Sequence, residues 1–144
     1  MAKFPITLSR FIIEQQAAYP EATGEFSVLL TQIGLVGKMI AHDLRRAGLI
    51  NILGTTGETN VQGEVVKKLD EIANDTFVRV FEHSGLVCAL ASEEMEKPIH
   101  MPQQGARAKY MLLFDPLDGS SNTDVNMPLG AIFSVLRHKG GPRV

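Results

Sequence analysis

YMLLFDPLDGSSN, residues 110–122, sets five residues that favour burial directly against two aspartates, a proline, a glycine and two serines. A short apolar run bounded by turn residues reads as a buried strand. Asp-Pro, Asp-Gly and Ser-Ser-Asn each favour turns through their own backbone chemistry, so a capped turn is the plain reading of residues 115–122. The same residues carry a chemical reading. Asp115 and Asp118, separated by a turn that Pro116 stiffens, can converge with the Leu117 carbonyl on one hard cation, and magnesium takes oxygen ligands of this kind. Gly119 lets the backbone approach closely, and the amides of Ser120, Ser121 and Asn122 can form an exposed helix start, a ready anion site.

A second acidic strand end stands upstream. VCALAS runs straight into Glu93 and Glu94. If the two strands are neighbours pointing the same way, their carboxylates meet at one sheet edge, where open α/β sheets bind ligands. Cation and phosphate then lie side by side, the arrangement used in metal-assisted phosphoryl transfer. Taken alone, Glu93-Glu94 reads as a solvated pair; the downstream motif gives it meaning.

The rest of the chain supplies a scaffold. At 144 residues, 44% apolar and 21% charged, it has the composition of one globular domain. A net charge of -2, with mixed signs along the chain, offers no basic face to nucleic acid. The single cysteine, Cys88, lies in an apolar run and reads as a small core residue. No run approaches the ~20 apolar residues of a spanning helix, and the start shows no targeting signal, which points to the cytoplasm.

Periodicity orders the elements. LSRFIIEQQ predicts a short helix with Leu8, Phe11 and Ile12 on one face, capped by Thr7 or Ser9. From Thr23 or Gly24 to Gly48, apolar residues recur every three or four positions and predict a long helix. Residues 49–64, rich in Gly and Thr, read as a long loop, and such loops tend to move or bind. Helical spacing returns through Val66, Leu69, Ile72, Phe77, Val80 and Phe81 and stops at Gly85. Strands are expected at 86–91, 110–114 and 129–139, the first two joined by a polar, proline-bearing loop. The expected fold class is α/β, with long helices layered on a sheet and no division into separate domains.

With ASEE, FDPLDGSSN and TNVQGEVVKKLDEIAND in place, the chain resembles the class I fructose-1,6-bisphosphatases, within the magnesium-dependent sugar and inositol phosphatases. The resemblance runs from about Thr7 to Lys139. It implies hydrolysis of the 1-phosphate of fructose 1,6-bisphosphate, with Glu93, Asp115, Asp118 and the Leu117 carbonyl as magnesium ligands. It places the departing phosphate on Asp118, Gly119, Ser120 and Ser121. It gives Glu94 and Asp70 the work of orienting and deprotonating water, which needs a carboxylate within one hydrogen bond. Glu64 falls where many members have aspartate, on a loop that closes over the metals.

The resemblance also implies an AMP site at the start of the long helix, built from Thr23, Gly24, Glu25 and Ser27 with Lys109, Tyr110 and Arg137. Family members are more than twice this length. The chain is therefore expected to be an N-terminal part of a homotetrameric enzyme, lacking the C-terminal substrate-binding part and inactive alone. Two alternatives stay open here: another sugar bisphosphate (sedoheptulose 1,7-bisphosphate) or an inositol phosphate as substrate, and an AMP-binding regulatory module without catalysis.

Overall fold

The computed structural model describes residues 5–53, 59–101, 108–119 and 129–138. Within them the order is α1 (Leu8–Gln16), α2 (Glu25–Leu53), α3 (Thr59–Glu82), β1 (Val87–Ser92), β2 (Ile99–His100), β3 (Tyr110–Asp118) and β4 (Gly130–Arg137). Helices layered on a sheet make this the expected α/β class.

Capping residues set the helix starts. Thr7 Oγ1 accepts the Arg10 N–H at 3.2 Å, satisfying one of the donors a helix start leaves over. Before α2, Gly24 takes φ +80°, a conformation that favours a residue without Cβ, and its carbonyl accepts the Val28 N–H at 3.0 Å. Glu25 then sits in the first turn, where a carboxylate suits the positive end of the helix dipole.

The sheet runs β2-β1-β3-β4. β1 and β3 are parallel neighbours, with Ser92 opposite Phe114, while β2 and β4 pair antiparallel on either side. Leu29, Ile33, Val36 and Ile40 form the buried stripe of α2, and Ala73, Phe77 and Phe81 that of α3. Both stripes join Val87, Leu90, Leu112 and Phe114 of the sheet in one core. Phe77 stacks on Phe114 with ring centroids 4.3 Å apart, fixing α3 against the centre of the sheet. Leu113 and Ile132 are exposed, as are Phe133 and Leu136 on β4.

Two boundaries differ from expectation. The long loop expected at 49–64 is mostly helix, because α2 continues through Gly48 to Leu53 and α3 begins at Thr59. A glycine inside a helix costs only about 1 kcal/mol against alanine and does not end it unaided, and LINIL beyond it contains no proline to break the helix. Glu64 accordingly lies in α3, not on a loop. The second difference is β3, which runs through Pro116 to Asp118 instead of stopping at Phe114. A shift in the β3–β4 register between Asp115 and Asp118 accommodates the proline, which has no N–H to give to a ladder.

Candidate functional site

Parallel pairing of β1 and β3 brings their acidic ends to the same edge. The ladder extends one step past Ser92, with the Glu93 N–H donating to the Phe114 carbonyl at 3.2 Å, so Glu93 is held beside Asp115. Ser92 fixes the next residue as well: its hydroxyl accepts the Glu94 N–H at 3.2 Å and its carbonyl accepts the Met95 N–H at 3.2 Å. This local turn keeps Glu94 at the edge, a role for Ser92 that its place two residues before Glu94 signals in sequence.

Asp115 is oriented by its own backbone. Its Oδ1 accepts the Leu117 N–H at 3.0 Å, across the buried Pro116. Leu117 is buried, while Asp118 is exposed at the strand end and Gly119 turns the chain with φ +86°. A positive φ favours glycine, so this sharp exit depends on Gly119.

The electrostatics record crowding. Asp115 beside Glu93 raises the Glu93 carboxyl above its ordinary value of 4.5, through repulsion and a shared hydrogen bond, with smaller contributions from desolvation, Glu94 and Asp118. Glu94 is also raised, first by desolvation, then by Asp70 and Asp115, then by Glu71. Sequence reading missed Glu71; its place beside Asp70 on α3 is the one available signal. The fold thus gathers Glu93, Glu94, Asp115, Asp118 and Asp70 from two strand ends and a helix. Among the described residues, no three such side chains are close enough as they stand to hold one metal ion. The acids form an open edge, next to a hollow of about 390 Å³ that Glu93 and Asp115 share with Phe133 and Ser134. Ser120 and Ser121 and the side chain of Glu64 lie outside the described residues.

A second cavity, of about 560 Å³, opens where α1, the start of α2 and the start of the sheet meet. Thr23, Gly24, Ser27, Lys109, Tyr110 and Arg137 all line it. Glu25 joins them through Lys109, whose Nζ lies 2.7 Å from Glu25 Oε2. All seven residues expected at an effector site are thereby brought together. Sequence reading missed the apolar wall from α1, Phe11 and Ile12, and the Gln16 side chain that accepts the Ser27 hydroxyl at 3.4 Å. The helical spacing of Phe11 and Ile12 reads as packing alone, which hides their second role. Phe26 and Tyr110, with centroids 5.6 Å apart, complete an aromatic wall.

A layered α/β domain with an acidic edge at parallel strand ends and, at the opposite end, a cavity lined by Lys109 and Arg137 as well as Glu21 is of the class of open-sheet domains that bind ligands beyond their strand ends. The chain belongs to the fructose-1,6-bisphosphatase family: residues 6–143 match that family's N-terminal domain. It is 51% identical over 135 residues to a class 1 fructose-1,6-bisphosphatase of Synechocystis, covering 93% of this chain and 39% of that protein. A relative of the same description from Trichodesmium erythraeum is 55% identical, with 93% and 38% covered. The holo-form crystal structure of Leishmania major fructose-1,6-bisphosphatase superposes with a TM-score of 0.77 at 37% identity, covering 98% of this chain and 40% of that one. The chain therefore spans about 39% of the length of the curated relatives it matches. No helix among the described residues is long and apolar enough to cross a membrane.

Proposed function

We propose that this chain supplies the metal-binding and water-activating part of a fructose-1,6-bisphosphatase, removing the 1-phosphate of fructose 1,6-bisphosphate to give fructose 6-phosphate and phosphate. The observation that carries this is the meeting of Glu93 and Asp115 at one sheet edge, where Asp115 raises the Glu93 carboxyl above its ordinary value. Two carboxylates forced together without a neutralising partner suit a cation. Among the described residues, no ion pair involves Glu93, Glu94, Asp115 or Asp118.

The donor set fits a hard divalent cation, since it offers only carboxylate and carbonyl oxygens. Glu93, Asp115, Asp118 and the Leu117 carbonyl would hold magnesium. Bound there, the metal would neutralise phosphate charge and lower the pKa of a coordinated water. The protein's own residues do the rest. Gly119, with Ser120 and Ser121 after it, holds the departing phosphate through backbone N–H groups. Glu94, raised toward neutrality by desolvation and by Asp70, accepts the proton of the attacking water; Asp70 on α3 orients it. Glu64, whose backbone lies in α3, is a further candidate for the same work. In this reading the 560 Å³ cavity takes AMP, its phosphate at the start of α2 near Lys109 and its base toward Tyr110. The enzyme is placed in the cytoplasm as a homotetramer, with the C-terminal remainder of the family's length gripping the rest of the substrate; the 144-residue chain alone turns over no substrate.

The test is magnesium-dependent phosphate release by the full-length natural protein, with fructose 1,6-bisphosphate and inositol monophosphate in parallel. Asp118→Asn removes one anionic ligand and is expected to lower turnover by at least about 100-fold, the scale of losing a group that stabilises the transition state. Release that prefers the inositol ester, or an unimpaired variant, overturns the reading.

A further inference from the structure

Two lining residues of the effector cavity, Lys109 and Thr23, are held by a neighbouring charge of the wrong sign for its proposed ligand, and Glu21 adds a second carboxylate to the cavity wall. Glu25, in the first turn of α2, projects a carboxylate whose Oε2 lies 2.7 Å from Lys109 Nζ and accepts the Thr23 hydroxyl at 3.2 Å. Lys109 and Thr23 are two of the groups that would meet a phosphate, and Oε2 of one glutamate engages both. The pair is roughly half exposed, so it can open without burying a bare charge. An anion already engages two of the groups that an anionic ligand must reach.

We propose that Glu25 is an internal competitor for the phosphate of a nucleoside monophosphate, so that ligand binding requires the Glu25–Lys109 ion pair to open. This inference rests on the reading of the cavity as an AMP site. Its consequence is a weakened affinity confined to the phosphate end. Two features follow from the geometry. A phosphate dianion competes for Lys109 better than any monoanion of similar shape, because it offers more charge to the same ammonium group. A nucleoside without phosphate has no reason to displace Glu25 and is indifferent to it.

Calorimetric titration of the full-length protein with AMP and, separately, adenosine tests this. Glu25→Gln keeps the size of the side chain while removing the competing charge; the expected result is AMP binding about two- to fivefold tighter, with adenosine unchanged. In Lys109→Met, which abolishes the pair, adding Glu25→Gln is expected to give a clearly smaller gain, because the coupling requires both partners. Glu25→Asp retains the charge on a shorter stem and serves as a second variant, with AMP affinity between parent and Glu25→Gln; melting curves check that all fold. AMP bound equally or more weakly by Glu25→Gln overturns the competitor proposal while leaving the AMP reading intact. AMP bound by neither parent nor variant overturns the AMP reading, and the competitor with it.

Discussion

Removing the Phe77 ring is the sharpest test of how this fold holds its acidic edge. Phe77 is fully buried, stacked at 4.3 Å and 18° on Phe114 and at 6.5 Å and 17° on Phe81. Phe77→Ala deletes a buried ring and leaves a cavity between α3 and the sheet, a change that costs about 3–5 kcal/mol in cores. Of this, the aromatic stacks contribute about 0.5–1.5 kcal/mol each beyond area burial. Phe77→Leu retains most of the volume and loses mainly the stacking, so it is expected to cost only about 1–2 kcal/mol. Urea unfolding followed by circular dichroism separates the two. With a slope of about 2 kcal/mol/M, the alanine variant loses about 2 M in midpoint and the leucine variant less than about 1 M. Equal shifts for both variants, or an alanine shift below about 0.5 M, would refute the claim that this ring keys the helix to the strand.

Further outcomes rest on single backbone and charge features. Gly37 lies exposed inside α2 with nothing within 4 Å of an added Cβ, so Gly37→Ala is expected to stabilise by about 0.5–1 kcal/mol, read as a higher urea midpoint. Gly119, at φ +86°, behaves oppositely: Gly119→Ala is expected to cost about 1–2 kcal/mol, seen as a lower melting temperature. The Glu25 carboxyl is held below 4.5, chiefly by its hydrogen bond from Lys109, so its contribution to stability is present above that pH and is lost as pH falls through the lower folded value. Screening at this exposed pair limits the contribution to about 0.2–1 kcal/mol, and the stability difference between parent and Glu25→Gln is expected to vanish in acid.

The parts of the fold that sequence revealed are those where one chemistry dominates. Leu29, Ile33, Val36 and Ile40 recur at helical spacing and bury as a stripe; Leu112 and Phe114, two residues apart, bury on one face of a strand. Boundaries are harder because they depend on neighbours. Gly48 looks like a helix stop, yet α2 continues through it to Leu53, since LINIL after it holds no proline to break the helix. Pro116 looks like a strand stop until β4 is present: three steps along β3, from Asp115 to Asp118, face two along β4, from Ile132 to Gly130, and that bulge absorbs the proline. β2, of two residues, is too short to carry any period. The acidic site was legible as two motifs, but their meeting was conditional on β1 and β3 being parallel neighbours, a fact of topology that neither motif contains.

That topology also fixes how the two cavities can communicate. β3 starts at Tyr110, in the wall of the 560 Å³ cavity, and reaches Asp115 and Asp118 at the acidic edge. Five steps of extended chain separate Tyr110 from Asp115, about 16 Å at ~3.3 Å per step. Between them Leu112 and Phe114 are buried, and Phe114 is stacked on Phe77. A strand hydrogen-bonded on both sides and packed at its centre neither stretches nor bends locally at low cost. Coupling between the two ends would therefore require a shift of β3 as a unit against α3. Such a shift carries information only if the Phe77–Phe114 contact has two discrete packings with different ligand affinity. Asp70 and Glu71, on the same helix as Phe77, would move in that step relative to Asp115 and Asp118 on β3, so the acids of the helix and those of the strand would change their spacing through a single packed interface.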